Sequence, residues 1–170
     1  MKRLLFVSGP MGCGKTSVCR RLLHRLAPAV YLDGDWCWMM EPFTVTEETR
    51  ALVQRNICFQ LNQFLRCTAY DTVIFCWVMH RQSIVDGLLA GLDAPPFAFT
   101  HISLTPQPEV LARRVQADVD AGLRQEDAVA RSLSYLPLYQ ELSSLKLDNS
   151  LLDVEETAAA IQALLRPARP

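Results

Sequence analysis

Residues 4–23, LLFVSGPMGCGKTSVCRRLL, set a short apolar run against a glycine-rich loop and then an amphipathic stretch. Gly9, Gly14, Lys15 and Thr16 fit G-x-x-x-x-G-K-[ST], with a strand pattern before the loop and a helix pattern after it. Glycines let a backbone wrap closely around an anion with its N–H groups turned inward. The following helix adds unpaired N-terminal N–H groups and the positive end of its dipole. The segment therefore predicts a phosphate cradle formed by Gly9, Met11, Gly12, Cys13, Gly14, Lys15, Thr16 and Ser17. Lys15 is expected to reach the β- and γ-phosphates of a nucleotide, and the Thr16 hydroxyl to meet Mg2+.

The rest of the chain alternates strand-like and helix-like runs, with no repeat, linker or low-complexity segment. Strands are expected at RLLFVSG, AVYLDGD, DTVIFCWVM, FAFTHISL and LKLDNS, the third being the longest unbroken apolar run. Helices are expected between them and at the end, over VEETAAAIQALL. In the second helix Thr44 and Glu47 are spaced as a capping box, and Leu52, Val53, Ile57, Leu61, Phe64 and Leu65 form its apolar stripe. Strands joined by helix-length crossovers imply a parallel sheet covered on both faces, in one α/β domain spanning 1–170.

Composition limits the partners. A formal net charge of −1, with no long basic stripe, points away from nucleic acid. The apolar run after Lys2 and Arg3 stops at Val7, too short for a signal segment or membrane span. Six cysteines show no C-x-x-C spacing and no histidine in metal-finger register, which fits a reducing cytoplasm. Cys13, inside the loop, is either tolerated there or redox-sensitive.

YLDGDWCW sets Asp33 and Asp35 at the carboxyl end of the second strand, where open α/β sheets build their sites. Two residues apart in extended geometry they project to one side; the bland alternative is an Asx-type turn capping the strand. With the phosphate loop, the D-x-D resembles the small P-loop kinases: shikimate, gluconate and adenylylsulfate kinases and chloramphenicol phosphotransferase, with nucleoside monophosphate kinases as neighbours. That resemblance implies a three-layer α/β/α P-loop NTPase fold with a five-stranded parallel sheet in the order 2-3-1-4-5. It implies ATP and Mg2+ as cofactors, Asp33 holding the metal shell through water, and Asp35 as the base toward an acceptor hydroxyl. It also implies a helical lid over about 114–134, begun by PEVLARR and carrying Arg114, Arg124 and Arg131 to the ATP; salt bridges with Asp118, Asp120, Glu126 and Asp127 are the alternative for these arginines. LKLDNSLLDVEET resembles the family's last strand and adenine loop, with Asn149 near the base. The third strand ends without the aspartate that many P-loop enzymes use for magnesium.

The acceptor is less defined. Trp36, Trp38 and Met39 either line its pocket or anchor the next helix. Trp77, His80 and Arg81 follow the third strand, and Arg50 and Arg55 open the second helix, where related kinases hold acidic substrates. Tryptophan and cysteine after Asp35, where adenylylsulfate kinases carry asparagine and arginine, argue against that substrate. The aromatic content favours a nucleoside-like or natural-product hydroxyl acceptor. Two rival readings are a nucleoside monophosphate kinase and a nucleotide switch that hydrolyses ATP slowly and acts through a partner. Oligomeric state is open.

Overall fold

The computed structural model describes residues 1–165, so the single-domain expectation extends five residues beyond the described range. Five parallel strands, β1 (Lys2–Ser8), β2 (Ala29–Asp33), β3 (Thr72–Cys76), β4 (Phe97–Leu104) and β5 (Leu145–Leu147), lie in the order β2-β3-β1-β4-β5. This is the expected order, and helices cover both faces. On one face α1 (Lys15–Arg25), α4 (Pro108–Asp120), α5 (Ala128–Tyr135) and α6 (Val154–Leu164) enclose Leu5, Val7, Ile74, Ile102 and Leu104. On the other, α2 (Glu47–Arg66) and α3 (Gln82–Ala90) cover Leu4, Phe6, Val73 and Phe75. Both faces of β3 are buried, which explains its continuous apolar run.

Three features depart from expectation for local reasons. β3 ends at Cys76, not Met79, because its neighbours end there too: Cys76 pairs with Asp33 on one side and Val7 on the other. The α2 capping box is built by Thr46 and Thr49 rather than Thr44 and Glu47; each side chain accepts from the other's backbone N–H. The α2 stripe is also narrower. Val53, Ile57, Leu61 and Leu65 are buried at i, i+4 spacing, Phe64 is half-buried, and Leu52 is exposed. Each buried side chain contributes about 1.5–3 kcal/mol.

A buried polar chain runs along β1 and β4. Ser8 Oγ lies 2.8 Å from His101 Nε2 and 2.9 Å from Ser103 Oγ, which meets Ser144 Oγ at 2.6 Å. His101 Nδ1 has no partner among the described residues. With Nε2–H donating to Ser8, only a lone pair is left unmet, which costs less than a stranded donor. Burial, and then nearby Lys146, lowers the imidazole pKa to about 4. The unfolded chain takes up a proton near pH 6.5, which the folded chain refuses until about 4. His101 is therefore expected to withdraw about 3 kcal/mol of stability as pH falls from 6.5 to 4. Urea unfolding at pH 7 and 4.5, wild type against His101→Gln, measures this: the variant should show the smaller acid loss.

Candidate functional site

The loop Gly9–Gly14 leaves β1 at the carboxyl edge of the sheet, where parallel α/β sheets open a crevice. Gly9 has φ +146°, and a Cβ there would lie 2.6 Å from Cys13 Sγ and 2.7 Å from the Leu104 carbonyl. No other residue type fits both constraints. Lys15 Nζ donates to the carbonyls of Gly9 and Pro10 at 2.8 and 2.9 Å, which holds the ammonium across the loop mouth. Two distant side chains brace the loop from outside: Ser132 Oγ of α5 donates to the Met11 carbonyl at 2.6 Å, and Asn149 Nδ2 to the Cys13 carbonyl at 3.0 Å. Cys13 is fully buried, and burial pushes its thiol pKa up against the pull of Lys15. It is a protonated, packed thiol rather than an exposed thiolate.

Asp33 and Asp35 are not in one extended run. Residues Gly34–Trp38 form a 3-10 turn, and Asp33 caps it: Oδ1 accepts from the Asp35 N–H at 3.1 Å. The strand ends because its ladder partners end, and the aspartate then supplies the first turn with an acceptor. Asp33 Oδ2 accepts from Thr16 Oγ1 at 3.0 Å and Tyr31 OH at 2.7 Å. Asp33 is buried, whereas Asp35 is exposed at the cleft. Crowding around the Asp35 carboxyl and the charge of Asp33 raise its pKa, while Lys15, the Trp77 indole and Arg124 pull it down.

The turn needs Gly34 for a second reason. A Cβ at that position would lie 2.5 Å from the Trp77 ring, which packs on the bare backbone. Gly34→Ala is expected to displace that ring at a cost of about 1–3 kcal/mol. A thermal melt, with indole fluorescence reporting Trp77, checks it.

These groups line one cleft of about 730 Å³. Met11, Gly12, Cys13, Gly14, Lys15, Thr16, Ser17, Asp33, Asp35, Trp77, Arg114, Arg124 and Asn149 all contribute to its wall. Arg114 Nη2 donates to the Asn149 carbonyl at 2.9 Å, and Arg124 Nε to Asp118 at 2.7 Å. Arg131, also expected in the lid, pairs with Asp127. Asp118, Ala117, Val78, Leu152, Val154 and Thr157 also belong to the wall. Sequence reading missed them because they come from three separate elements with no shared motif.

Several expected acceptor residues lie outside that wall. Trp36 is half exposed and packs edge-on against Tyr31, with centroids 5.4 Å apart. Trp38 is half-buried against the α2 side and Phe43. Arg50 and Arg55 are exposed on α2, and Arg81 is exposed at the N-cap of α3. His80 packs at a tilt of 48° against Tyr135 of α5, centroids 4.6 Å apart, and its Nδ1 has no partner among the described residues. Burial lowers its pKa, so the ring is neutral at pH 7.

A family model described as AAA domain matches residues 5–131. The chain belongs to that family. Its fold is shared with proteins of solved structure, kinases among them. A sugar kinase from Janibacter superposes with a TM-score of 0.71 at 18% identity, covering 97% of this chain and 95% of its own. The tunicamycin resistance protein of Deinococcus radiodurans gives 0.66 at 18%, covering both chains fully at 100%. Shikimate kinase from Acinetobacter baumannii, in complex with shikimate, gives 0.62 at 20%, covering 97% and 93%. No curated protein matches in sequence. Among the described residues, no helix is long and apolar enough to cross a membrane.

Proposed function

We propose that the protein is an ATP- and Mg2+-dependent kinase that moves the γ-phosphoryl group to a hydroxyl of a small molecule. One observation carries the reading: Thr16 and Asp33 are joined at 3.0 Å, while Asp35, two residues on, faces the same cleft with a raised pKa. Two carboxylates at the phosphate loop thus have separate tasks.

The donor set suits the metal. Among the described residues no cluster of three or more His, Cys, Asp or Glu side chains forms a metal cage. Mg2+ needs none, since it keeps several waters and takes one or two protein oxygens beside substrate phosphates. Thr16 Oγ1 is the hard oxygen that would meet the metal, and the Asp33 carboxylate beside it would hold a metal-bound water in place of the acid that β3 lacks. When bound, the metal neutralises charge on the β- and γ-oxygens.

The protein's own groups supply the rest. Lys15 and the loop amides hold the phosphates. Asp35 takes the proton of the acceptor hydroxyl as its oxygen bonds to the γ-phosphorus and the bond to the bridging oxygen breaks. The raised pKa makes Asp35 a better proton acceptor, and the acid limb of the rate profile is expected above the ordinary aspartate value of about 3.9. Arg114 and Arg124 spread charge over the moving group; Arg124 exchanges Asp118 for phosphate when the lid of about 114–134 closes. Asn149, in the cleft wall, is assigned to the nucleotide rather than to the acceptor through its place in the family-like adenine loop. Trp77 offers a flat face next to Asp35 in the cleft wall. That supports a nucleoside-like or natural-product acceptor, and the shared fold of a tunicamycin resistance protein fits it. Six free cysteines, four of them buried, agree with a cytoplasmic setting.

The test is a metabolite panel with ATP and Mg2+, read by a mass gain of one phosphate. An acceptor that gains the phosphate with matched ADP release supports the reading. Turnover that never exceeds basal hydrolysis across a panel of sugars, nucleosides and hydroxylated antibiotics overturns it in favour of a nucleotide switch. A phosphate gained only by nucleoside monophosphates also overturns it.

A further inference from the structure

Tyr31 is a buried hydroxyl that the chemistry above does not use. It lies on β2 two residues before Asp33, so the two side chains leave the strand on the same face. Its hydroxyl is 2.7 Å from Asp33 Oδ2 and 3.2 Å from Cys76 Sγ.

An ionised carboxylate offers about four acceptor sites, two on each oxygen. Three are taken on Asp33: Tyr31 and Thr16 hydroxyls on Oδ2, and the Asp35 N–H on Oδ1. Thr16 also keeps its proton on Asp33 if its oxygen lone pair turns to a cation, so Oδ2 remains filled. What is left is one site, on Oδ1.

We infer that Tyr31 is a positioning residue: its phenol fills Asp33 Oδ2 and so fixes the carboxylate with Oδ1, the oxygen that keeps a free site, turned to a metal-bound water. The inference rests on the kinase reading. Without the phenol, Oδ2 regains a lone pair, the carboxylate is free to rotate, and the alignment of Oδ1 is lost. Removing such a supporting hydrogen bond lowers metal affinity about tenfold or more.

Mn2+ is the probe, with full-length protein and ADP. Free Mn2+ is followed by electron paramagnetic resonance, and metal-free ADP binding by calorimetry. Tyr31→Phe is expected to weaken Mn2+ uptake by the ADP complex about tenfold, with metal-free ADP affinity held within about twofold. Equal Mn2+ affinity in both proteins overturns the inference, as does an equal loss of metal-free ADP binding, which would mark a purely structural role. The wild type supplies a measurement that needs no variant. With carbon-13 at its aspartate carboxyls, the bound Mn2+ should show only weak, outer-sphere carbon coupling; a strong inner-sphere coupling overturns the inference. If the wild type takes up no Mn2+ with ADP, the kinase reading fails first, a result distinct from equal uptake by both proteins.

Discussion

Lys15→Ala is expected to lower phosphoryl transfer by about a thousandfold, the upper end for loss of one preorganised donor. The ammonium is held at the loop mouth by the Gly9 and Pro10 carbonyls, 2.8 and 2.9 Å away. Under the proposed reading it would meet the phosphates from that position, and alanine removes the charge together with its anchoring. Lys15 is one of only three lysines, and the other two, Lys2 and Lys146, do not line the cleft. Nucleotide affinity, by calorimetry with ATP in place of acceptor turnover, should fall as well. A variant that retains both affinity and hydrolysis within a few-fold would show that the loop does not hold a triphosphate.

Asp35→Asn is expected to act differently. Removing a general base costs about 10²–10⁴ in rate, while the amide leaves the turn geometry intact. The Asp35 N–H bond to Asp33 Oδ1 involves only backbone at this position, so the metal side is untouched. ATP affinity should stay near that of the parent while acceptor phosphorylation falls. The acid limb of the rate profile should vanish with the carboxylate. If Asp35→Asn transfers phosphate as well as the parent, the base is another group. The two variants thus separate binding of the nucleotide from transfer out of it.

Much of this cleft was legible in the chain. The phosphate loop, its flanking strand and helix, and both aspartates were identified from local pattern, because each depends on neighbours within a few residues. Arg114, Arg124 and Asn149 were placed through resemblance to a family, and all three line the cleft. The aspartate geometry was misread. D-G-D looks like two alternate positions of a strand, yet the strand ends at Asp33 because β3 ends beside it, and the chain then turns. Ladder ends depend on partners some forty residues away. The tryptophans illustrate the same limit. Trp36, Trp38 and Trp77 are equally apolar in sequence, yet Trp36 is half exposed, Trp38 packs toward α2, and only Trp77 lines the cleft.

By itself the sequence determined the phosphate loop, the alternation that makes a parallel sheet, and the presence of two acids after β2. These follow from short-range rules: glycine dihedrals, helix termini and side-chain periodicity. Only the tertiary structure decided how those acids differ. Thr16, Tyr31 and Asp33 come together because α1 crosses over β2, which fills Asp33 with donors and leaves Asp35 at the cleft. Ser132 reaches Met11 across 121 residues for a similar reason. Hydrogen-bond saturation is a property of atoms in contact, and the sheet order brings those atoms together.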